Sequence, residues 1–221
     1  MERRKIAKRH LPILEKYGLS DIDITGIQEL LFQQNELLFT ANYPCEYLLI
    51  VLSGRVRVSI TCENGKSILL AFYNKEGLLG DAELMSDNKN AISTVQAITD
   101  VSCIGIPLSR YFAYLKKNTA FLNCIGAMLA QKLNSCSHNC AVNILHPLEA
   151  RLCTYIDMVQ QEGLFHDNMT VLAELLGTSY RHLLRTIDSL CQQGILHKEA
   201  YSYRIMDDGR LKEKKEDCYY L

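Results

Sequence analysis

Hydrogen-bond donors are concentrated in the run Ser179-Tyr180-Arg181-His182 of this 221-residue chain, with Arg185 one helical turn further on. A helix can present such donors to base edges from its first turn, and an arginine fork fits guanine O6 and N7. Two cations follow in a segment of alternating residues, where phosphate contact is the more common role. The residues that these patterns assign to nucleic-acid binding are Ser179, Tyr180, Arg181, His182, Arg185, Lys198 and Arg204.

The flanking sequence predicts two helices separated by a short turn. Apolar residues at helical spacing run from Val171 to Leu176, Gly177 interrupts them, and Ser179 stands where an N-cap belongs. A second apolar series follows, then two short strands at 195–196 and 201–205. This pattern is typical of a helix-turn-helix with a wing. The alternative is a packing element, which would bury the face that carries the donors.

Overall charge does not by itself indicate a nucleic-acid partner. The formal net charge is −1, and residues 178–206 hold four basic side chains against two acidic ones, so the position of the basic residues carries the argument. Nine cysteines form no regular framework, which is typical of buried thiols in a reducing compartment. No apolar run has transmembrane length. Residues 1–17 begin with charges and predict a solvated helix, with a secondary phosphate contact as the alternative. We therefore expect a cytoplasmic chain without a membrane partner.

Residues 27–107 alternate with period two and predict a domain rich in strands. The predicted strands are 29–33, 37–40, 47–52, 54–62, 66–73, 91–97 and 101–106. Many short strands favour a sandwich, jelly roll or barrel. A short helix is predicted at 108–117 and a long one at 118–145, followed by another helix after Pro147. The predicted organisation is an α+β chain with a barrel domain at 1–117, a dimerisation helix at 118–145 and a DNA-binding domain at 146–221.

The long helix carries an apolar stripe that predicts a contact surface. Its members recur with a mean step of about 3.6 residues, and they are Leu122, Ile125, Leu129, Leu133, Cys136 and Cys140. Such a stripe can meet its own copy in a two-fold dimer, and we assign its first five members to that interface. It can also pack on its own barrel, and opposite sides of one helix can do both.

Four different short motifs follow one another along the chain. They are Gly54-x-Val56, Asn64-Gly65-Lys66, Leu79-Gly80-Asp81-x-x-Leu84, and Leu172-Ala173-x-x-Leu176-Gly177-x-Ser179. With these motifs, nearly the whole chain resembles the Crp/Fnr family of bacterial transcription regulators, and the run from Ser179 to Leu184 is similar to the YeiL-type branch. The resemblance implies an N-terminal double-stranded β-helix (a jelly roll similar to cyclic-nucleotide-binding domains) and a C-terminal winged helix-turn-helix. It also implies a homodimer on a palindromic operator in double-stranded DNA, an effector site between barrel and long helix, and RNA polymerase as a candidate partner.

The effector site implied by the resemblance has the candidate residues Gly80, Asp81, Glu83, Ala91 and Ile92. Members that bind cyclic nucleotides carry an acidic residue after the glycine and an Arg-Ser pair for the phosphate. Asp81 fits the acidic position, but Ala91-Ile92 replaces the pair, and Lys89 is the only cation that the sequence places nearby. A buried phosphate needs a cation as its partner. We therefore expect no binding of cyclic AMP, and the effector stays open.

Metal and cofactor chemistry is not expected from the remaining patterns. The family's iron–sulfur members use N-terminal cysteines, whereas the first cysteine here is Cys45, and residues 18–108 contain no histidine for haem. Cys136-x-His138-x-Cys140 is the one metal-like run: packing, dimer contact and metal or redox sensing are all open, although the spacing differs from usual zinc motifs. The sequence contains neither a nucleophile elbow nor a phosphate-cradling glycine loop, so no motif indicates an enzyme. A sensory ligand-binding module, or a thiol or metal redox sensor, is the alternative to a DNA-binding regulator.

Overall fold

The computed structural model describes residues 1–61, 67–73, 77–86 and 89–215 of the chain. These fall into two compact units, Met1–Leu133 and Asn134–Leu221. The division lies within one long helix, whereas the predicted domain limits lie at its two ends, so those limits stay a prediction. The motif Asn64-Gly65-Lys66 lies outside the described residues.

The N-terminal unit is built on two antiparallel sheets. Its strands are β1 (Glu2–Lys5), β2 (Gln28–Phe32), β3 (Leu37–Phe39), β4 (Tyr47–Ser53), β5 (Val56–Thr61), β6 (Ser67–Tyr73), β7 (Gly77–Leu79), β8 (Thr94–Ala97) and β9 (Val101–Pro107). One sheet has the order β1-β2-β9-β4-β7 and the other β3-β8-β5-β6. The seven predicted strands are present, although the one predicted at 91–97 begins only at Thr94. The predicted α+β class with an N-terminal β-sandwich domain is confirmed.

Strand β4 shows how the sequence pattern produces the two cores of this unit. Successive side chains of a strand point to opposite faces, and both faces of β4 are apolar. Leu49 and Val51 lie in the core shared with residues of the second sheet, such as Val95. Leu48 and Ile50 lie in a second core, which they share with the helices that cover the first sheet. Strand β4, which lies between β9 and β7, is therefore buried on both sides.

Residues 1–17 differ from the predicted helix. Glu2–Lys5 forms the edge strand β1, antiparallel to β2 with Glu2 opposite Leu31, and all four of its residues are exposed. Only the stretch Leu11–Lys16 is α-helical (α1). Edge strands carrying exposed charges resist pairing with other chains. The run of charged residues therefore belongs to an edge strand. Counting charges in the sequence could not distinguish such a strand from a solvated helix.

Three further helices begin in the first unit. They are α2 (Asp81–Met85), α3 (Leu108–Leu115) and α4 (Thr119–Leu145). The start of α4 is capped by Asn118, whose Oδ1 accepts the Phe121 N–H at 3.1 Å. α2 carries Asp81 and Glu83 in its first turn. It begins after Gly80, whose φ is +85° and whose missing Cβ would lie 2.8 Å from the Tyr47 carbonyl oxygen.

The C-terminal unit contains the predicted two helices and wing. Its elements are α5 (Leu148–Val159), β10 (Leu164–Phe165), α6 (Met169–Leu175), α7 (Tyr180–Gln192), β11 (Leu196–Lys198), β12 (Tyr203–Ile205) and α8 (Asp208–Lys214). The strands form one small antiparallel sheet in the order β10-β12-β11. The strand predicted at 201–205 begins at Tyr203, because Glu199 N–H donates to the Ser202 carbonyl at 2.8 Å and closes a turn there.

Candidate DNA-binding surface and effector site

Helix α7 separates an apolar face from a polar one. Leu183, Ile187 and Leu190 are fully buried, so one face is fixed in the core of the C-terminal unit. Ser179 is the N-cap, with its Oγ accepting the His182 N–H at 3.2 Å. The cap satisfies one of the four amide groups that every helix leaves unpaired at its start. The first turn of α7 is thus both well defined and open to solvent.

A glycine turn sets the position of α7 after α6. Gly177 has a φ of +58°; its N–H donates to the Glu174 carbonyl, and the next N–H, that of Thr178, donates to the Ala173 carbonyl. This pair of bonds is the Schellman motif, which ends a helix with a left-handed residue and suits glycine best. The sequence break at Gly177 therefore corresponds to the turn of the helix-turn-helix.

All seven residues predicted to contact DNA belong to α7, its cap or the wing, and all are exposed: Ser179, Tyr180, Arg181, His182, Arg185, Lys198 and Arg204. The packing alternative requires this face to be buried, which it is not in this chain. Arg204 differs from the others because its Nε donates to Glu199 Oε1 at 2.6 Å. That ion pair reduces the positive charge the wing offers, so Lys198 is the better candidate there for a phosphate contact. The seven assignments stay predictions.

Arg151 is a residue of this unit that the sequence reasoning missed. It lies on α5 and is only 6% exposed. Its guanidinium donates to the Leu176 carbonyl at the end of α6, to Asn143 Oδ1 at 2.7 Å and to the His146 carbonyl at 3.0 Å. Buried charges require such partners. Arg151 therefore fastens the turn of the helix-turn-helix to α5 and to the end of α4; an arginine among the apolar residues of α5 was its only sequence signal.

The predicted effector site lies around Gly80 and α2 in the N-terminal unit. Asp81 is 3% exposed, and its Oδ2 accepts from Lys132 Nζ at 2.6 Å. Lys132 belongs to α4 and also donates to the Leu78 carbonyl at 2.6 Å. The expectation that Lys89 is the only nearby cation is wrong, because α4 brings in a second one from 51 residues away in sequence. Asp81 is consequently engaged within its own chain.

The other candidate effector residues are one more buried acid and two apolar residues. Glu83 is buried, and its Oε1 accepts the Ile92 N–H at 2.9 Å. Ala91 is 2% exposed, and Ile92 has an exposed side chain that cannot pair with an anion. Cys45 lies beneath Gly80, 3.2 Å from where a Cβ would be. Burial, followed by the charges of Glu83 and Asp81, raises the pKa of Cys45 to about 12, so its thiol stays protonated.

Helix α4 has a buried side and an exposed side, and the predicted stripe contributes to both. Ile125 is fully buried in its own unit, and Leu122 and Leu129 are partly buried against the same core, which corresponds to the packing alternative. Leu133 is 67% exposed and Cys136 is half-buried. The exposed side continues at Ile144, which is 81% exposed. The core of its own unit therefore covers Ile125, whereas Leu133 is open to solvent in the single chain.

No helix in the described parts of the chain is both long and apolar enough to cross a membrane. Within the same residues, no group of three or more histidine, cysteine, aspartate or glutamate side chains could hold a metal ion.

Comparison with known proteins shows which chains share this arrangement. Residues 29–118 match the sequence profile of the cyclic nucleotide-binding domain. The chain is 32% identical over 165 residues to regulatory protein YeiL of Escherichia coli O157:H7, with 75% of each chain covered. It is 22% identical over 196 residues to the cyclic AMP receptor protein of Thermus thermophilus, covering 87% of this chain and 90% of that one. A solved protein of the crp/fnr family from Eubacterium rectale has the same fold, with a TM-score of 0.75 at 16% identity over 95% of this chain and 94% of that one.

Proposed function

Since this chain belongs to the CRP/FNR family of transcription regulators, we propose that it binds a palindromic DNA operator as a homodimer, controlled by an effector other than cyclic AMP. Its relatives are regulators of transcription rather than enzymes. The observation that carries the proposal is the exposed donor face of α7, held in place by the buried face of the same helix.

The chemistry of the first turn of α7 fits base recognition. Arg181 is the second residue of the helix, Arg185 lies one turn on, and both are exposed. From such a position a guanidinium reaches guanine O6 and N7 as a fork, and each such pair contributes about 1–3 kcal/mol of discrimination. Lys198 in the wing adds a phosphate contact, which positions the protein without reading sequence.

A homodimer follows from the exposed side of α4. Large apolar side chains such as Leu133 and Ile144 are exposed in the single chain, and a second copy would cover them. Two copies of α7 related by a two-fold axis would read half-sites about one helical turn of DNA apart.

The effector proposal rests on the partners of Asp81 and Glu83. The first carboxylate pairs with Lys132 and the second accepts the Ile92 N–H, so both buried acids are engaged and neither is replaced by a guanidinium that could pair with an anion. A phosphate would be repelled there rather than paired. A neutral or cationic effector is therefore favoured over a cyclic nucleotide.

The test is selection of binding sites from randomised duplexes, followed by affinity measurements at two salt concentrations. Arg181→Ala should cost about 1–3 kcal/mol at the selected site and relax preference at one base pair of each half-site. Lys198→Ala should weaken binding to all sequences alike and lower the slope of log affinity against log salt by about one.

Arg110→Ala is the matched control, because Arg110 is an exposed arginine of the N-terminal unit paired with Asp23. It should leave both the selected sequence and the salt slope unchanged. If Arg181→Ala keeps the wild-type sequence preference and loses only overall affinity, Arg181 contacts phosphate and base reading belongs to Arg185 or His182. If the wild-type protein selects no sequence at all, the proposed function is wrong.

A further inference from the structure

Cys136 and Cys140 lie one helical turn apart on the part of α4 that is open to solvent. Cys140 is exposed and Cys136 is half-buried, and four residues of helix separate them, which puts both thiols on one side of α4. His138 lies between them in sequence but about 200° around the helix from each, so it does not share their side. One chain therefore offers two adjacent thiols and no third ligand among its described residues.

The two thiols lie at neighbouring positions of a stripe along α4 that has the spacing of a helix-pairing surface, here called the seam. Gly126, Leu133 and Cys140 are spaced seven residues apart, and Leu129 and Cys136 each follow a member of that series by three. This is the a/d spacing of paired helices. A Cβ added to Gly126 would meet nothing within 4 Å, so the seam is open there in the single chain. In a parallel two-fold pair, each seam residue faces its own counterpart, which brings four thiols together.

We propose that Cys136 and Cys140 of two copies of this chain form a four-thiolate site for a thiophilic divalent cation such as Zn²⁺ or Cd²⁺. The inference rests on the homodimer of the proposed function. Soft thiolates in a tetrahedral set of four are the ligands that such ions prefer. The site would fix the two copies of α4 to each other where they lead into the DNA-binding units.

The spacing favours a metal over a disulfide within one helix. Residues four apart on a helix have Cβ atoms about 5–6 Å apart, whereas a disulfide needs about 3.5–4.5 Å. A disulfide would therefore distort α4. In contrast, two sulfurs on one tetrahedral ion, each about 2.3 Å from it, lie about 3.8 Å apart, which side chains one helical turn apart can reach by rotation about their Cα–Cβ bonds.

The distance between paired helices also suits a shared ion. Packed helix axes are about 8–10 Å apart and Cα atoms lie about 2.3 Å from each axis, which leaves about 2–3 Å from a facing Cα to the midline. A cysteine side chain and a metal–sulfur bond of about 2.3 Å span that gap easily. The ligands can therefore converge without moving the helices apart.

The experiment is a titration of the reduced, full-length protein with Cd²⁺, followed by ultraviolet thiolate-to-metal charge transfer and by native mass spectrometry. Wild type should bind an ion at half an equivalent per chain, with a mass of two chains plus one cadmium. Cys136→Ser/Cys140→Ser should lose that half equivalent. Cys124→Ser/Cys191→Ser is the matched control, since it also removes two partly exposed helix thiols. This control variant should still bind half an equivalent of cadmium per chain.

Other outcomes overturn the inference in distinguishable ways. Binding that survives in Cys136→Ser/Cys140→Ser places the ion elsewhere and rejects the site. Loss of a full equivalent per chain in that variant rejects the shared four-thiolate arrangement. If the wild-type protein is dimeric and selects an operator, but the two double variants bind the same amount of cadmium, the site is rejected and the proposed function stays intact. Monomeric protein with and without cadmium rejects the homodimer itself.

Discussion

Breaking the ion pair between Asp81 and Lys132 should destabilise the N-terminal unit, and the two partners should not be equivalent. The Asp81 side chain is 5% exposed and that of Lys132 is 27% exposed. Removing one partner of a fully buried pair costs about 3–5 kcal/mol. Because this pair is partly open to solvent, we expect about 2–3 kcal/mol for Lys132→Met, which leaves a buried carboxylate without its cation.

Asp81→Asn should cost less, about 1 kcal/mol, because the amide oxygen can still accept from Lys132 Nζ, which also keeps the Leu78 carbonyl. In the double variant Asp81→Asn/Lys132→Met the effect should be smaller than the sum of the single effects, since the two side chains share one interaction. Lys117→Met, at an exposed lysine just before α4, is the matched control and should be close to neutral.

The assay is urea unfolding with pulsed thiol labelling, read by mass spectrometry at Cys103. That residue is 0% exposed in the core of the first unit, so it is labelled only when the unit opens. Cys153 in the second unit reports on that unit in the same sample, and its midpoint should not move. If Asp81→Asn and Lys132→Met lower the unfolding midpoint measured at Cys103 by equal, small and additive amounts, the pair is not a buried, coupled interaction and the reasoning is refuted.

Three further predictions concern the dimer, the effector and alkaline stability. Leu133→Asp should give monomers by light scattering because it puts a charge into the apolar seam, whereas Ser135→Asp on the other side of α4 should not; an unchanged dimer mass would count against the seam. Calorimetry should detect no cyclic AMP binding, and micromolar affinity would contradict the proposed effector class. Burial raises the pKa of Cys103 to about 12 from an ordinary 9.0, so its folded thiol keeps a proton that the unfolded chain loses. The stability it contributes is therefore intact below pH 9 and lost towards pH 12, by up to about 1.4 kcal/mol per pH unit; Cys103→Ala should lose about 1 kcal/mol less than wild type between pH 8 and 10 in urea unfolding.

The sequence alone determined the features that depend on local patterns. The period-two alternation over 27–107 predicted the strands, Gly177 and Ser179 predicted the turn and cap of the helix-turn-helix, and the donors on α7 followed from their spacing on a helix. These signals are local because a strand's alternation, a left-handed glycine and an N-cap each involve only a few neighbouring residues. Ala91-Ile92 stands where the resemblance implies an Arg-Ser pair, and this difference can be recognised from residue types alone.

Only the tertiary structure decided which distant residues meet. Lys132 reaches Asp81 across 51 residues, and Arg151 reaches Leu176 across 25, and neither pairing leaves a pattern in the sequence. The apolar stripe on α4 could not show which of its members face the chain's own core, since a helix distributes them around its axis and only packing selects a side. Likewise, the charges at Glu2–Lys5 suit a solvated helix or an edge strand equally well, and the pairing of β1 with β2 decided between them.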